Sequence, residues 1–482
     1  MTLPEKGRSR DEVVADLTSR HATDLPTHGG RTWAYVYDSG LDDLDPVMDT
    51  ARSMYAAVNG LDPTVFASIV GLENEVVGTV LDLVRAPDGS VGTFTSGGTE
   101  SCMLAVKAAR DARRDVAQPN IVAPTTVHAA FHKAAHLFGL ELALVDVDPV
   151  TFSADPAAMA AAVTDRTVLV VVSAPSYAHG VVDPVAPIAA MAAERGIRCH
   201  VDACIGGWVL PFLADEPARG IAADRPAWSF EVPGVTSISA DLHKYGYAPK
   251  GVSVLLHRSM ALRHSQFWAT ADWPGYGVVN STLQSTKSAG PLAAAWATTQ
   301  MLGEQGYAAL ARQAREGALA LAAEVGGIPG LRVVVPPDSS LLAVATDDSC
   351  DPYTVCDELL ERGWFAQPQL PFRDGPASLH LTISAATTPQ LPEFVAALRD
   401  SVAAAQAAGP VSVDPGMAGL LATLDPATFD EATLAGLLAA AGLAGEGGTL
   451  QLPRRMAPIQ ALLAACPAGL RGLLLTAVVE RL

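Results

Sequence analysis

Short apolar runs alternate with longer amphipathic stretches over the central part of the chain, from about residue 90 to residue 260. Such runs of β-branched and aliphatic residues are typical of buried parallel strands, and the stretches between them have the spacing of helices. Five runs predict strands: NIVAPT, ELALVDV, TVLVVVSA, RCHVDA and VTSISA. The pattern therefore predicts an α/β fold with a mainly parallel sheet that helices cover on both faces.

A different pattern follows this region. A long helical stretch near 290–325 leads into LRVVVP, LLAVAT, a helix over about 351–362 and LHLTIS, which together predict a smaller α+β unit. Beyond Pro410 the composition shifts to Ala, Leu and Gly, which predicts a short helical appendage behind a linker. We divide the chain into an N-terminal segment (1–60), a large domain (61–295), a small α+β domain (296–410) and the appendage (411–482).

Composition and charge narrow the classes of function. The 482 residues are 49% hydrophobic and 17% charged, which suits a protein with a large core. Thirty-two Lys and Arg against 51 Asp and Glu, a formal net charge of −19, exclude the basic footprint of nucleic-acid binding. The six cysteines form no Cys-x-x-Cys pair, and no apolar run approaches the length that crosses a bilayer. We expect a cytoplasmic protein with reduced thiols, no nucleic-acid partner, no membrane segment and no metal site.

Four features with candidate chemistry fall at or just after predicted strand ends, the edge where open α/β sheets bind ligands. The segment TFTSGGTES places Ser96, Gly97, Gly98 and Thr99 immediately before a predicted helix. Free backbone N–H groups and the helix dipole favour a phosphate there. His128 either lies flat against an aromatic ring or caps its helix, and the cap is the simpler interpretation of this residue alone.

The other two features are a carboxylate and an amine. Asp202 ends the apolar strand in CHVDACIGG, where a buried carboxylate needs a cation such as a protonated ring nitrogen. Lys244 ends the next strand, TSISADLHK; crowded by His243 and desolvated, its amine should have a lowered pKa and form a Schiff base with an aldehyde. Together the four features supply what pyridoxal 5′-phosphate (PLP) requires: an anchored phosphate, a stacked ring, a pyridinium partner and an imine-forming amine.

These segments also resemble a known family. TSGGTES, HAAFHKAA, HGVVDP, HVDACIGG and SISADLHKYGYAPKG are similar to stretches of the sphingosine-1-phosphate lyase family, PLP enzymes of the group II decarboxylase-like branch of fold type I. The similarity runs from about residue 30 to residue 405. It implies a PLP-dependent transferase-like large domain with a mainly parallel seven-stranded sheet, a small C-terminal α+β domain, and a homodimer with interfacial active sites.

The resemblance assigns roles to individual residues. It implies that Lys244 forms the internal aldimine, that His128 stacks on the pyridine ring, and that Asp202 pairs with the ring nitrogen. Lys250 is expected to bind a substrate phosphate, and Tyr37, with Tyr35 as the alternative, matches an active-site tyrosine. The residues expected to contact the cofactor besides these are Ser96, Gly97, Gly98, Thr99, His243 and Thr286.

Two departures from the family bear on the substrate. The family motif Asn-Pro-Leu-His-Pro reads NGLDP here, so Asn59 is kept and Asp62 replaces the histidine. The family motif Gly-Ser-Arg-Pro-Gly reads STKSAG, with Thr286 and Lys287 in place of the serine and the arginine. Because a carboxylate repels a phosphate, Asp62 favours an amino substrate with a neutral or cationic tail.

The expected reaction is retro-aldol cleavage of a β-hydroxy amine, phosphorylated or not, to an aldehyde and an amine. The base is Tyr37, His128 or Lys250. An amino-acid decarboxylase would have the same cofactor site, and so would an enzyme similar to L-threonine aldolase. A catalytically idle paralogue that only binds ligands would keep the fold, but the retention of Lys244 and Asp202 argues against it.

Overall fold

The computed structural model describes residues 2–36, 38–213, 226–424, 430, 433, 434, 436, 437 and 452–481. The helices in this part of the chain are α1 (Arg10–His21), α2 (Leu44–Met54), α3 (Ser68–Leu83), α4 (Gly98–Asp111), α5 (Ala129–Phe138), α6 (Pro156–Ala162), α7 (Val185–Glu194), α8 (Met260–His264), α9 (Gly290–Val325), α10 (Pro352–Glu361), α11 (Leu391–Ala408), α12 (Pro415–Thr423), α13 (Ala457–Ala465) and α14 (Ala468–Glu480). Helix α9 is kinked at Gly303, whose φ is 58°.

The strands are β1 (Val91–Thr95), β2 (Asn120–Pro124), β3 (Glu141–Val145), β4 (Thr167–Ser173), β5 (Arg198–Asp202), β6 (Val235–Ala240), β7 (Ser253–His257), β8 (Trp268–Thr270), β9 (Val278–Asn280), β10 (Leu331–Val333), β11 (Leu341–Thr346), β12 (Gln367–Gln369) and β13 (Ser378–Thr382). All five runs predicted as strands are strands in the structure.

A seven-stranded sheet forms the centre of the large domain, in the order β1-β7-β6-β5-β4-β2-β3. Strand β7 is antiparallel to both of its neighbours, and the other pairs are parallel. Successive residues of β4 belong to two apolar clusters, with Val170 and Val172 in one and Leu169 and Val171 in the other. Because both faces are buried under helices, the strand needs apolar residues at every position. The predicted fold class is confirmed.

A four-stranded antiparallel sheet, β10-β11-β13-β12, forms the smaller α+β unit with α10 and α11. Its core includes Trp33 from the N-terminal segment, which is fully buried and stacks on Phe394 with ring centroids 3.9 Å apart. The Trp33 amide also donates a hydrogen bond to the Phe365 carbonyl at 2.7 Å. The segment that precedes the large sheet therefore packs on the small unit.

The C-terminal helices contact the small unit through α10. The Asp357 carboxylate accepts hydrogen bonds from the amides of Met456 and Ala457 at 2.9 and 2.8 Å, and so caps the start of α13. Arg455 pairs with Glu358 at 2.6 Å beside this cap. The boundaries of the four predicted domains stay a prediction. Among the described residues, no helix has the length and apolar character that crossing a membrane requires.

The turn that follows β6 is fixed from two sides. The Tyr245 hydroxyl donates a hydrogen bond to the Ile383 carbonyl at 2.7 Å, and the Tyr307 hydroxyl donates one to the Gly246 carbonyl at 2.9 Å. Burial raises the pKa of both phenols, so each stays a protonated donor. These bonds join the turn to the small unit and to α9, which holds the end of β6 rigidly at the carboxyl edge of the sheet.

Candidate active site

Lys244 lies at the carboxyl edge of the sheet, in the turn after β6. It lines a cavity of about 610 Å³, into which the ends of β1, β2, β4 and β5 also bring residues. Its amine Nζ lies 3.1 Å from Oδ2 of Asp241, a carboxylate that is 1% exposed. The residue predicted to bind the cofactor is therefore the lysine of an ion pair within the cavity.

The expected pKa of Lys244 is wrong in its sign. Burial acts to lower this pKa, but the neighbouring acidic groups together, Asp241 first and then Cys204 and Asp202, outweigh it and raise the pKa above the ordinary lysine range. His243, the neighbour that the sequence singled out, has a lowered pKa because it is itself buried. The amine is thus charged before it reacts, and the carboxylate three residues earlier contributes most among the groups that raise its pKa.

The turn from β1 into α4 has the form of a phosphate-binding turn. Gly97 has φ of 141°, which a side chain disfavours, and the 14-residue helix α4 begins at Gly98. A Cβ on Gly98 would lie 2.6 Å from Oδ2 of Asp241, so only glycine fits there. Glu100 steadies the turn, because its carboxylate accepts hydrogen bonds from the Ser96 amide at 2.7 Å and the Leu283 amide at 2.8 Å.

His128 and Asp202 line the same cavity. His128 is the N-cap of α5: Nδ1 accepts a hydrogen bond from the Ala130 amide at 3.2 Å, which places the proton of the neutral ring on Nε2. Burial lowers the pKa of His128, although Asp202 partly offsets this. Asp202 is 8% exposed, with Oδ1 at 3.1 Å from the Cys204 amide that donates to it. An aromatic ring and a buried carboxylate are thus available to a pyridinium.

The residues around this cavity fit PLP. The glycine turn, the helix start, the buried carboxylate and the lysine open into one space, as the sequence predicts. Ser96, Gly97, Gly98, Thr99 and His243 all line it.

Asp241 and Tyr177 are among the cavity residues that the sequence did not predict, and both bear on the chemistry. Asp241 precedes Lys244 by three positions, and its place just after an apolar strand is the signal that could have revealed it. Tyr177 follows β4; its ring stacks on His380 with centroids 4.0 Å apart and lies edge-on to His128 at 6.2 Å. Burial raises the pKa of Tyr177 to about 12, so its hydroxyl is a hydrogen-bond donor at neutral pH.

Four predicted site residues do not line this cavity within the chain. Lys250 and Thr286 line a neighbouring cavity of about 460 Å³. Lys250 donates hydrogen bonds to the Val36 and His243 carbonyls, and burial lowers its pKa to about 8. Asn59 pairs through its backbone with Ser288, beside that second cavity.

Asp62 is turned towards its own backbone. Its Oδ1 accepts hydrogen bonds from the Thr64 amide at 3.1 Å, the Thr64 hydroxyl at 2.6 Å and the Val65 amide at 3.3 Å. These bonds, the Thr64 hydroxyl first, lower the pKa of Asp62. The remaining predicted residue, Tyr37, lies outside the described residues.

Three side chains of metal-ligating type lie together within the described part of the cavity wall: Cys102, Asp202 and Cys204, with ligand atoms within 4.8 Å of one another. The contact between the two thiols and their burial raise the pKa of Cys204 well above its ordinary value. A metal would have to displace that proton and compete for Asp202. The absence of a metal site stays a prediction.

Comparison with known proteins identifies the family. Residues 46–334 match the pyridoxal-dependent decarboxylase conserved domain, and residues 415–481 match a C-terminal putative HTH domain of pyridoxal-dependent enzymes. The chain is 35% identical over 404 residues to sphingosine-1-phosphate lyase of Dictyostelium discoideum, a match that covers 83% of this chain and 74% of the relative.

Solved structures agree with this assignment. The structure of a sphingosine-1-phosphate lyase from Burkholderia pseudomallei K96243 matches with a TM-score of 0.78 and 34% identity, over 85% of this chain and 94% of that one. Glutamate decarboxylase of Lactobacillus brevis matches with a TM-score of 0.75 at 19% identity, over 86% and 96% of the two chains, which shows the shared fold alone. The chain belongs to the sphingosine-1-phosphate lyase family and is a PLP-dependent lyase.

Proposed function

We propose that this enzyme cleaves the Cα–Cβ bond of a phosphorylated long-chain β-hydroxy amine and releases an aldehyde and a phosphorylated amine. One observation carries the proposal: Lys244, Asp202 and His128 meet around one cavity in a chain whose relatives are lyases for sphingosine 1-phosphate. Decarboxylation is the second candidate, because a decarboxylase of the same fold needs the same cofactor residues.

The chain supplies four functions to the reaction. Bound PLP supplies an electron sink for the pair released when the bond breaks. Lys244 would provide the amine for covalent attachment, and the charge of Asp202 would hold a proton on the ring nitrogen. Amides at the start of α4 would bind the phosphate, and His128 would pack against the ring.

The structure reduces the number of candidates for the base that removes the β-hydroxyl proton. The Ala130 amide occupies Nδ1 of His128, so the outward Nε2 carries a proton and has no lone pair to accept another. Tyr37 and Lys250 remain of the three candidates. Burial lowers the pKa of Lys250 to about 8, but its amine donates hydrogen bonds to the Val36 and His243 carbonyls and lines the neighbouring cavity.

The second cavity supports a phosphorylated substrate. Lys250 and Lys287 both line it, and Lys287 is partly buried with one weak hydrogen bond to the Thr282 hydroxyl at 3.4 Å. Asp62, the residue that spoke against a phosphate, has its charge satisfied by its own turn. A phosphate in this cavity would be attracted by the positive charges of both ammonium groups.

We also propose that the enzyme is a cytoplasmic homodimer. Leu137 and Leu283 line the active-site cavity and are still 54% and 46% exposed, as expected where a second copy covers the mouth. All six cysteines are unpaired and buried, which suits a reducing compartment. Light scattering of the PLP-loaded enzyme should give twice the chain mass of 49.9 kDa. An active enzyme of the single-chain mass would contradict the dimer.

The reaction is tested by separating its products. The PLP-loaded enzyme is incubated with sphingosine 1-phosphate, with unphosphorylated sphingosine, and with a panel of amino acids, and aldehyde and carbon dioxide are measured independently. We expect aldehyde from the phosphorylated amine and at least about tenfold less from the unphosphorylated one. Carbon dioxide without aldehyde would replace the proposal with decarboxylation, and equal rates on both amines would refute phosphate recognition.

A further inference from the structure

Asp241 is a buried acid in the active-site cavity. None of the roles in cofactor binding proposed above is assigned to it. It lies one residue beyond the end of β6, and its side chain is 1% exposed. Glycine at position 98 makes room for it, since a Cβ there would lie 2.6 and 2.7 Å from the two carboxylate oxygens. Burying a carboxylate costs free energy unless a cation lies next to it. We therefore expect a cationic side chain beside Asp241.

Two side chains are close enough to be that partner. Oδ2 lies 3.1 Å from Nζ of Lys244 and 3.5 Å from Nε2 of His243. The Val252 amide donates to Nδ1 of His243, so this histidine is neutral with its proton on Nε2, and burial keeps its pKa low. Lys244 is therefore the cation that balances Asp241.

We propose that Asp241 is a positioning residue for Lys244: it holds the lysine nitrogen at the cavity wall and keeps a proton on it. In each turnover the substrate nitrogen takes the place of the lysine nitrogen on the cofactor. The proton that the substrate ammonium loses ends on the released Lys244 amine, so charge is conserved. Asp241 would then retain this ammonium at the cavity wall, where it could supply a proton to the reaction. The inference rests on the covalent cofactor chemistry of the proposed function and holds whichever substrate bond breaks.

The isosteric variant Asp241→Asn tests this proposal. The PLP-loaded enzyme without substrate is titrated while the visible absorbance of the bound cofactor reports protonation of the Lys244 nitrogen. A carboxylate stabilises the protonated form and an amide does not, so the transition should move to lower pH by about one unit or more. We expect kcat to fall about 100-fold with KM changed less than about threefold.

The control is Asp357→Asn, which neutralises another buried carboxylate far from the cavity and should leave the transition in place. A shift below about 0.3 pH unit in Asp241→Asn would overturn the proposal. The other titratable groups that interact with the pair are unaltered in this variant: Cys102, Asp202, Cys204, His128, Tyr177, His243, Lys250 and His380. Since the titration uses no substrate, its outcome is independent of the product assay.

Thermal unfolding of the full chain gives a second test. It remains informative even if Asp241→Asn alone folds poorly. Lys244→Met leaves Asp241 buried without its cation, which should lower the unfolding temperature by several degrees. Adding Asp241→Asn to Lys244→Met should restore most of that loss, while Asp241→Asn alone should destabilise. Destabilisation by Asp241→Asn of equal size in both backgrounds would show that the two residues are not coupled, which refutes the pairing.

Discussion

Lys244→Ala should abolish both turnover and the covalent attachment of the cofactor. Lys244 is the amine that lines the cavity with Asp202 and His128, and its removal leaves no nitrogen for the cofactor aldehyde at that position. We expect kcat to fall by at least about 10⁴-fold. Borohydride reduction followed by peptide mass spectrometry should find the cofactor on Lys244 in the parent enzyme and on no residue in the variant.

Lys250→Ala is the matched control for this experiment. Because its pKa is about 8, Lys250 has a larger neutral fraction at neutral pH than Lys244 has. By the criterion of pKa alone, Lys250 is the better nucleophile of the two. Its amine is occupied by two backbone carbonyls and lies in the neighbouring cavity. Lys250→Ala should therefore retain the adduct on Lys244. An adduct on Lys250 in the parent enzyme, or turnover in Lys244→Ala, would overturn the assignment.

Asp202→Asn should lower kcat about 10²- to 10³-fold and leave the cofactor attached. Asp202 is the buried carboxylate that ends β5, and the Cys204 amide and the Ser239 hydroxyl fix its orientation at 3.1 and 3.4 Å. An amide of the same shape keeps these contacts but no longer stabilises a proton on the ring nitrogen. The turnover number and the amount of borohydride adduct are measured on the same preparation. A lower turnover number with an unchanged adduct indicates weaker electron withdrawal by the cofactor ring, and a smaller adduct indicates weaker cofactor binding.

Asp357→Asn again provides the comparison, because it removes a buried negative charge that does not face the cavity. It should lower the unfolding temperature with kcat within about threefold of the parent. A fall of less than about tenfold in kcat for Asp202→Asn would show that the charge of this residue is dispensable. Loss of the adduct in that variant would instead assign Asp202 to cofactor binding.

The sheet and the order of the cofactor residues could be predicted from the sequence because both depend on patterns within short segments of the chain. Strands β2 and β4 are buried on both faces, and their central residues therefore form continuous apolar runs in the sequence. A glycine next to a helix start and a polar residue at the end of such a run mark the carboxyl edge, and the structure places Gly98, Asp202 and Lys244 there. Short strands without this pattern were harder to predict, as in β12, where Pro368 lies in a three-residue strand.

The sequence by itself determined which chemical groups reach the edge of the sheet; the tertiary structure decided which of them are close enough to alter one another. The pKa of Lys244 depends on the 3.1 Å distance to Asp241, and the sequence pointed to the adjacent His243 instead. Tyr177 enters the site through contacts with His380, 203 positions away in the chain. Coulomb interactions and desolvation depend on distance and burial, which only the folded chain defines.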